Sequence, residues 1–199
     1  MEHEDKTRMY GLVPYQLTGI QKGIQYGHAL QEYNNLMINR MNLSMEEMAE
    51  DSHKMILEIN LFDQWRDKDK TFIILNGGTS NDGKNYSIGS MESHLKVLEE
   101  NNITCGIFRE PDLNFMLSGI VFLVPEQVYK KYDKGDDKKY WLDFDNYLLD
   151  ICKLETTEYL KNSKNLEEVY YEKHKEWIDY IGGEENVFLR EFLKNFKLA

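Results

Sequence analysis

The sequence contains few cysteines and no recognisable set of metal ligands. Its two cysteines, Cys105 and Cys152, lie in apolar surroundings and lack the CxxC or Cys/His spacing of a zinc site. We therefore expect free, buried thiols in a reducing compartment rather than a disulfide. Since no cluster of His, Cys and Asp has metal-site spacing, neither a metal nor another cofactor is expected.

Cationic side chains and long apolar runs are also scarce. The chain has 24 lysines and arginines against 35 aspartates and glutamates, a formal net charge of −11. Nonspecific binding to nucleic acid depends on clustered Lys and Arg, so we expect a small ligand or a locally basic groove instead. No run approaches the roughly 20 apolar residues of a membrane span, and the charged stretch from Met1 to Lys6 lacks the apolar core of a signal peptide. The sequence thus predicts a cytoplasmic protein without a membrane partner.

The most informative stretch runs from Leu12 to Ala29, where a strand pattern turns through Thr18 and Gly19 into a helix. A polar stripe follows one face of that helix, at intervals of four, three and four residues: Gln21, Gln25, His28 and Glu32. A helix N-terminus has free N–H groups and a positive dipole end, so this junction predicts a site for a phosphate, a carbonyl or a nucleotide edge. The alternative is a solvated helix face. The packing side of the helix is expected at Ile20, Ile24, Gly27 and Ala29.

Apolar periodicity predicts strands that alternate with helices. The expected strands are residues 9–16, 71–76, 103–108 and 119–124; the expected helices are 20–34, a stretch opened by a capping box at Ser44 to Glu47, 90–100, and one beginning at 126. The continuous apolar run 71–76 is typical of a strand covered on both faces. This order predicts the α/β class, with a four-stranded mixed sheet sandwiched by helices.

A charged break at residues 134–139 divides the chain. We expect an α/β domain over residues 1–133, with a helical insertion at about 36–66, and a helical C-terminal extension over 134–199. One apolar stripe of the extension follows a Gly182-Gly183 break: Phe188, Leu189, Phe192, Leu193 and Phe196. A stripe this apolar must be buried, either by docking on the sheet domain or in a homo-oligomer contact, and docking within the chain is favoured.

Two loops carry further candidate residues. The polar run Asn76-Gly77-Gly78-Thr79 suits close approach of a ligand but lacks the GxxxxGK[ST] pattern of a P-loop. Glu110 and Asp112 flank Pro111 in an expected loop from Arg109 to Ser118. A carboxylate there can orient water or accept a hydrogen bond from a ribose; the alternative is a turn-forming Asp beside Pro.

His28 is the histidine best placed to act as a general acid or base. The alternative is a structural histidine that is hydrogen-bonded across the contact between helix and sheet. His53 and His94 are expected to be packing or surface residues.

Element order and local motifs resemble the type II peptidyl-tRNA hydrolase family, and more closely its uncharacterised relatives among tailed phages. The shared features, over about residues 9–132, are the first strand followed by Leu17-Thr18-Gly19, the Gln25-x-x-His28-Ala29 pattern, the strand 72–76, and the run from Met91 through Glu110 and Asp112 to Val124. The resemblance implies that family's α/β fold and a nucleotide or tRNA-derived ligand, in the host cytoplasm if a phage encodes the chain.

The resemblance also implies roles for single residues. Gln21 takes the place of a family lysine that is implicated in hydrolysis, and Lys22 lies one residue further, about 100° around the helix. Lys22 would stabilise negative charge, while His28 with Glu110 or Asp112 would position water.

The family's loop threonine corresponds to Asn114 or Ser118. The expected substrate-binding residues are Thr18, Gly19, Gln21, Gln25, Asn76, Gly77, Gly78, Thr79 and Asn114.

Three functions are compatible with this pattern. The leading hypothesis is a hydrolase that acts on a nucleotide-containing substrate, which His28 and the acid pair favour. The second is a non-catalytic binder that sequesters a small nucleotide immune signal, which Gln21 in place of lysine favours. The third is an interaction module that uses the Phe-rich terminal helix on a host protein.

Overall fold

The computed structural model describes residues 6–43, 52–80, 89–130 and 175–199. These residues form a four-stranded sheet of order β2-β1-β4-β3. The strands are β1 Thr7–Val13, β2 Thr71–Asn76, β3 Gly106–Glu110 and β4 Met116–Pro125. β1 and β2 are parallel, whereas β4 runs antiparallel to both β1 and β3. The predicted mixed sheet of an α/β protein is therefore confirmed.

Helices flank this sheet. They are α1 Gly19–Met41, α2 Ser52–Gln64, α3 Ser90–Glu100, α4 Glu126–Tyr129 and α5 Glu184–Leu193. A π-helical turn, Trp65–Asp69, extends α2, and a 3-10 turn, Pro111–Leu113, joins β3 to β4. Residues 175–181 are also helical, so the described part of the C-terminal extension has the predicted class. Within the described residues, no helix is both long and apolar enough to cross a membrane.

α1 packs closely on one face of the sheet. Its buried residues are Tyr26, Ala29, Tyr33 and Met37. Gly119 of β4 permits the close approach, since a Cβ there would lie 2.6 Å from the Gln25 carbonyl oxygen and 2.9 Å from the Ala29 Cβ. The backbone of α1 therefore rests directly on β4 beside Gln25.

The predicted packing side of α1 is wrong at three of its four positions. Ile20 and Ile24 are 80% and 51% exposed, and Gly27 is also exposed, whereas Ala29 is buried as predicted. The reason is that α1 contacts the sheet through the side that contains Tyr26, Ala29 and Tyr33. Ile24 precedes the buried Tyr26 by two residues, which places its side chain about 200° around the helix.

β2 has the predicted bounds, and both of its faces are partly covered, since Ile73 packs against the core cluster on the α3 side and Ile74 against the cluster on the α1 side. In the sheet it pairs only with β1, and Thr71 and Phe72 are exposed. The C-terminal tail occupies part of the other edge of β2, where the Asn76 N–H donates to the Lys197 carbonyl at 2.9 Å and the Ala199 N–H donates to the Ile74 carbonyl at 3.0 Å. The apolar run reflects burial near its end, where Leu75 lies in the core.

The predicted loop 109–118 is too long. β3 continues to Glu110 and β4 begins at Met116, with Arg109 paired to Leu117 and Glu110 to Met116. Backbone hydrogen bonds in an antiparallel ladder do not depend on side-chain polarity, so the charged pair at the end of β3 did not end the strand. The other end of β3 also differs, since it begins at Gly106 rather than at 103.

The C-terminal apolar stripe docks within the chain, as predicted. Leu189 and Phe192 belong to the core cluster on the α3 side of the sheet, and Phe188, Leu193 and Phe196 pack against it. α5 ends at Leu193, so Phe196 packs from the residues that follow the helix.

The remaining predictions concern histidines, thiols and a helix cap. His94 packs against aromatic rings of the C-terminal segment and His53 is exposed, so neither departs from its prediction. Cys105 is a free, partly buried thiol, and burial raises its pKa. Cys152 and the capping box at Ser44 lie outside the described residues.

Candidate functional site

The candidate residues converge on one edge of the sheet, which we call the carboxyl edge. Because β4 runs antiparallel to β1 and β3, and β2 parallel to β1, the carboxyl ends of β1, β2 and β3 meet the start of β4 there. The loops that lead into α1 and α3 are joined at this edge. The Tyr15 N–H donates to the Gly78 carbonyl at 2.9 Å, and the Met91 N–H donates to the Thr79 carbonyl at 3.0 Å.

Three side chains form a hydrogen-bonded chain at the carboxyl edge. The Gln25 Nε2 donates to Oε2 of Glu110 at 2.8 Å. The Ser118 hydroxyl donates to Oε1 of the same amide at 2.7 Å and lies 3.3 Å from the Phe108 carbonyl oxygen. Both polar atoms of the Gln25 amide are therefore hydrogen-bonded, and the amide fixes the position of the Glu110 carboxylate. We call this set the Ser118–Gln25–Glu110 chain.

An irregularity in β4 aims Ser118 at α1. Phe108 pairs with Gly119 and Arg109 pairs with Leu117, so Ser118 is an extra residue between two consecutive pairs. Leu117 belongs to the core cluster on the α3 side, whereas Gly119 contacts α1. A bulge of this kind redirects a side chain that regular alternation would send to the other face. Ser118 is only 1% exposed and thus contributes its hydroxyl from within the contact between α1 and β4.

This geometry distinguishes between the alternatives that the sequence left open. Glu110 contacts Gln25, whereas Asp112 lies exposed in the 3-10 turn. Ser118 also reaches Gln25, whereas Asn114 follows the turn in the left-handed region, with φ of 54°. The resemblance named Ser118 only as an alternative to Asn114, and Ser118 was left out of the expected binding residues, because a single serine at the end of a predicted loop has no periodic signal of function.

Thr18 caps the start of α1. The Gln21 N–H donates to Oγ1 of Thr18 at 3.3 Å, and the Gln21 Oε1 accepts from the Thr18 N–H at 3.0 Å, which forms a capping box. Lys22 precedes the buried Tyr26 and Ala29 by four and seven residues, so its side chain begins on the sheet side of the first turn. Lys22 makes no ion pair with any described residue. Lys22 therefore places a cation on the sheet side of the first turn, whereas the Gln21 side chain is used as a cap.

The glycine-containing loop after β2 closes on the start of α3. The Gly78 N–H donates to Oδ1 of Asn76 at 2.9 Å, and Gly78 has φ of 84°, which glycine adopts without strain. The Thr79 N–H donates to Oγ of Ser90 at 2.7 Å, and that oxygen lies 3.2 Å from the Gly77 carbonyl oxygen. The predicted binding residues of this loop thus have partners inside the protein and form one wall of the carboxyl edge.

An ion pair holds the other side of the β3–β4 hairpin. Arg109 donates to both carboxylate oxygens of Glu92, at 2.7 and 2.9 Å, and this hydrogen bonding raises the pKa of Arg109. Phe115, at the tip, is 65% exposed and adopts a φ of 56° directly after Asn114. Its N–H donates to the Glu110 carbonyl at 3.0 Å. The hairpin that holds Glu110 is therefore fixed from α1 on one face and from α3 on the other.

His28 lies next to this chain without joining it. Its imidazole stacks on the ring of Phe108, with the ring centroids 4.4 Å apart and the planes inclined by 24°. The alternative that the sequence left open, a histidine hydrogen-bonded across the contact between helix and sheet, is not seen among the described residues, where His28 makes a ring contact instead. His28 and Glu110 share the carboxyl edge but are not hydrogen-bonded to each other.

Three cavities lined by described residues lie away from the carboxyl edge. Their volumes are about 720, 350 and 60 Å³, and they occupy the opposite edge of the sheet among α2, the α3–β3 turn and the start of α5. Glu58 lines all three, and none of the three is lined by a candidate residue of the carboxyl edge. The candidate site is thus defined by its fixed polar groups and not by one of these cavities.

Among the described residues, no group of three or more His, Cys, Asp or Glu side chains could hold a metal ion. No protein-family model, curated protein or solved structure matches the chain. The evidence for a function therefore comes from the geometry of the carboxyl edge.

Proposed function

We propose that the chain is a hydrolase that cleaves an ester or related bond in a nucleotide-containing substrate, such as a peptidyl-tRNA-like ester or a small nucleotide signal. The Ser118–Gln25–Glu110 chain is the observation that supports this proposal most directly. It fixes a carboxylate where the strands end and α1 begins, on the same edge as Lys22, which makes no ion pair with a described residue.

Glu110 is the general base in this proposal. Its Oε2 accepts from Gln25, and its other oxygen has no hydrogen bond from a described residue. That oxygen takes a proton from water while the water oxygen attacks the ester carbonyl carbon. The ammonium of Lys22 stabilises the resulting oxyanion. The proton then passes from Glu110 to the departing ribose oxygen as the C–O bond breaks, so that water is the only co-reactant.

The test measures cleavage with a matched pair of acid variants. The protein is incubated with an N-acylated aminoacyl-tRNA and with cyclic dinucleotides, and products are identified by mass spectrometry. Glu110→Gln should lower turnover about a hundredfold, the scale of a lost acid–base group. Asp112→Asn should leave turnover nearly unchanged, because that exposed carboxylate lies outside the chain of hydrogen bonds. Equal losses in both variants would refute the role of Glu110, and intact substrates with the wild type would refute hydrolysis of these bonds.

A non-catalytic nucleotide binder is the second candidate. The capping role of Gln21 favours a binder, because Gln21 stands where the similar family has the lysine implicated in hydrolysis. Lys22 is then the cation that the first turn of α1 retains. A binder releases a ligand of unchanged mass when it is denatured, whereas an enzyme releases a product of changed mass. The interaction module has no comparable support, since the apolar stripe that it would use packs within the chain.

A further inference from the structure

The imidazole of His28 presents a flat, open face at the carboxyl edge. One face of the ring stacks on Phe108, yet His28 as a residue is exposed. Among the described residues, Phe108 is the ring that contacts it, and no hydrogen bond engages its nitrogens. The face turned away from Phe108 is therefore free to contact a ligand.

This open ring lies beside the fixed polar groups of the proposed site. His28 follows Gln25 by three residues, so both lie on one face of α1. Phe108 precedes Glu110 by two residues on β3, so both project from the same face of the sheet toward α1. A flat surface backed by a second ring thus adjoins a fixed amide and a fixed carboxylate.

We infer that the open face of His28 is the stacking surface for a nucleobase of the ligand. The inference rests on the proposed nucleotide-containing substrate and assigns recognition of its base. A base that continues the Phe108–His28 stack would have its ribose or its edge within reach of the Gln25–Glu110 pair. Stacking on an aromatic side chain accepts any base, because every base has a π face. His28 is on this account a binding residue, and proton transfer belongs to Glu110.

Binding of two mononucleotide fragments tests the inference without any catalytic turnover. The probes are 5′-AMP and ribose 5-phosphate, which differ by the base, and the measurement is isothermal titration calorimetry. The wild type should bind 5′-AMP more tightly than ribose 5-phosphate. His28→Ala should weaken 5′-AMP binding about tenfold and leave ribose 5-phosphate unchanged, a loss typical for a base that stacks on one side chain. His28→Phe should retain the affinity, since it keeps a flat ring and loses the titratable nitrogens.

His53→Ala is the matched control, because His53 is an exposed histidine on α2 that lines a cavity at the opposite edge. It should bind both probes as the wild type does. Equal affinity of the wild type for the two probes, including no detectable binding of either, would overturn the inference. So would a loss in His28→Phe as large as that in His28→Ala. Since this assay does not measure cleavage, its failure would leave the turnover comparison of Glu110→Gln and Asp112→Asn to decide the proposed function separately.

Discussion

Truncation of Phe192 tests whether α5 is an integral part of the fold. Phe192 is 8% exposed, and its ring contacts rings from other segments. The centroid distances are 6.3 Å to Phe122 of β4, 5.9 Å to His94 of α3 and 4.8 Å to Phe196. Phe192→Ala therefore removes an aromatic contact that joins the end of α5 to α3 and to the sheet.

The expected loss in the free energy of unfolding follows from the apolar area that the Phe192 ring buries. A buried Phe removes roughly 150 Å² of apolar surface from water, which at about 25 cal/mol per Å² corresponds to nearly 4 kcal/mol. Measured Phe→Ala changes in cores cost about 3–5 kcal/mol, and the partial exposure of this edge of the core favours the lower end. We therefore expect a loss of about 3 kcal/mol in the free energy of unfolding. With a urea dependence of about 2 kcal/mol per M, the unfolding midpoint should fall by about 1.5 M.

Urea unfolding followed by far-UV circular dichroism measures this change, and Ile20→Ala is the control. Ile20 is 80% exposed on α1, so its truncation should change the free energy of unfolding by less than about 0.5 kcal/mol. If Phe192→Ala shifted the midpoint no more than Ile20→Ala does, the packing of α5 in the core would be refuted. The apolar stripe would then be available to a partner, and the interaction module would become the better hypothesis.

Two further predictions concern α1 and α3. Gly119→Ala should destabilise the fold by roughly 1–3 kcal/mol, because the new Cβ would lie 2.6 Å from the Gln25 carbonyl oxygen. Thermal melting measures this loss, and an unchanged melting temperature would contradict the close packing of α1 on β4. Burial lowers the pKa of His94, so just below pH 6.5 the unfolded chain binds more protons than the folded one and stability falls as the pH falls. His94→Gln should reduce this fall between about pH 7.5 and 5, and a pH dependence equal to that of the wild type would contradict the assignment.

Local signals made part of the fold predictable. Thr18 and Gln21 form the capping box within four consecutive residues, so their geometry depends little on the rest of the chain. α3 has the predicted bounds because Met91, Leu95 and Leu98 recur with helical spacing and all are buried. The convergence of α1, the β2 loop and the acid hairpin follows from strand direction, since β1, β2 and β3 run the same way and the connections after them collect at one edge.

Contacts between distant segments could not be predicted in the same way. The bulge at Ser118 depends on the register between β3 and β4, and neither strand alone contains a signal for it. The stack of His28 on Phe108 joins residues 80 positions apart by their numbering, so no helical or strand period connects them. The exposure of Ile20 has a similar cause. Tyr26 and Tyr33 pack on the sheet and so determine which side of α1 is buried, and Ile20 lies outside that side and stays in solvent.

The contacts that fold the protein also determine the geometry of the proposed site. Gly119 sets how closely α1 approaches β4, Ser118 fixes one end of the Gln25 amide, and Glu110 receives the other end. A change in the distance between α1 and the sheet must therefore move the amide, and with it the carboxylate that is proposed to activate water. Placement within a few tenths of an ångström matters for a general base, because proton transfer requires hydrogen-bond distance. The close packing of α1 on Gly119 therefore holds the Glu110 carboxylate in one position, although the carboxyl edge is open to solvent.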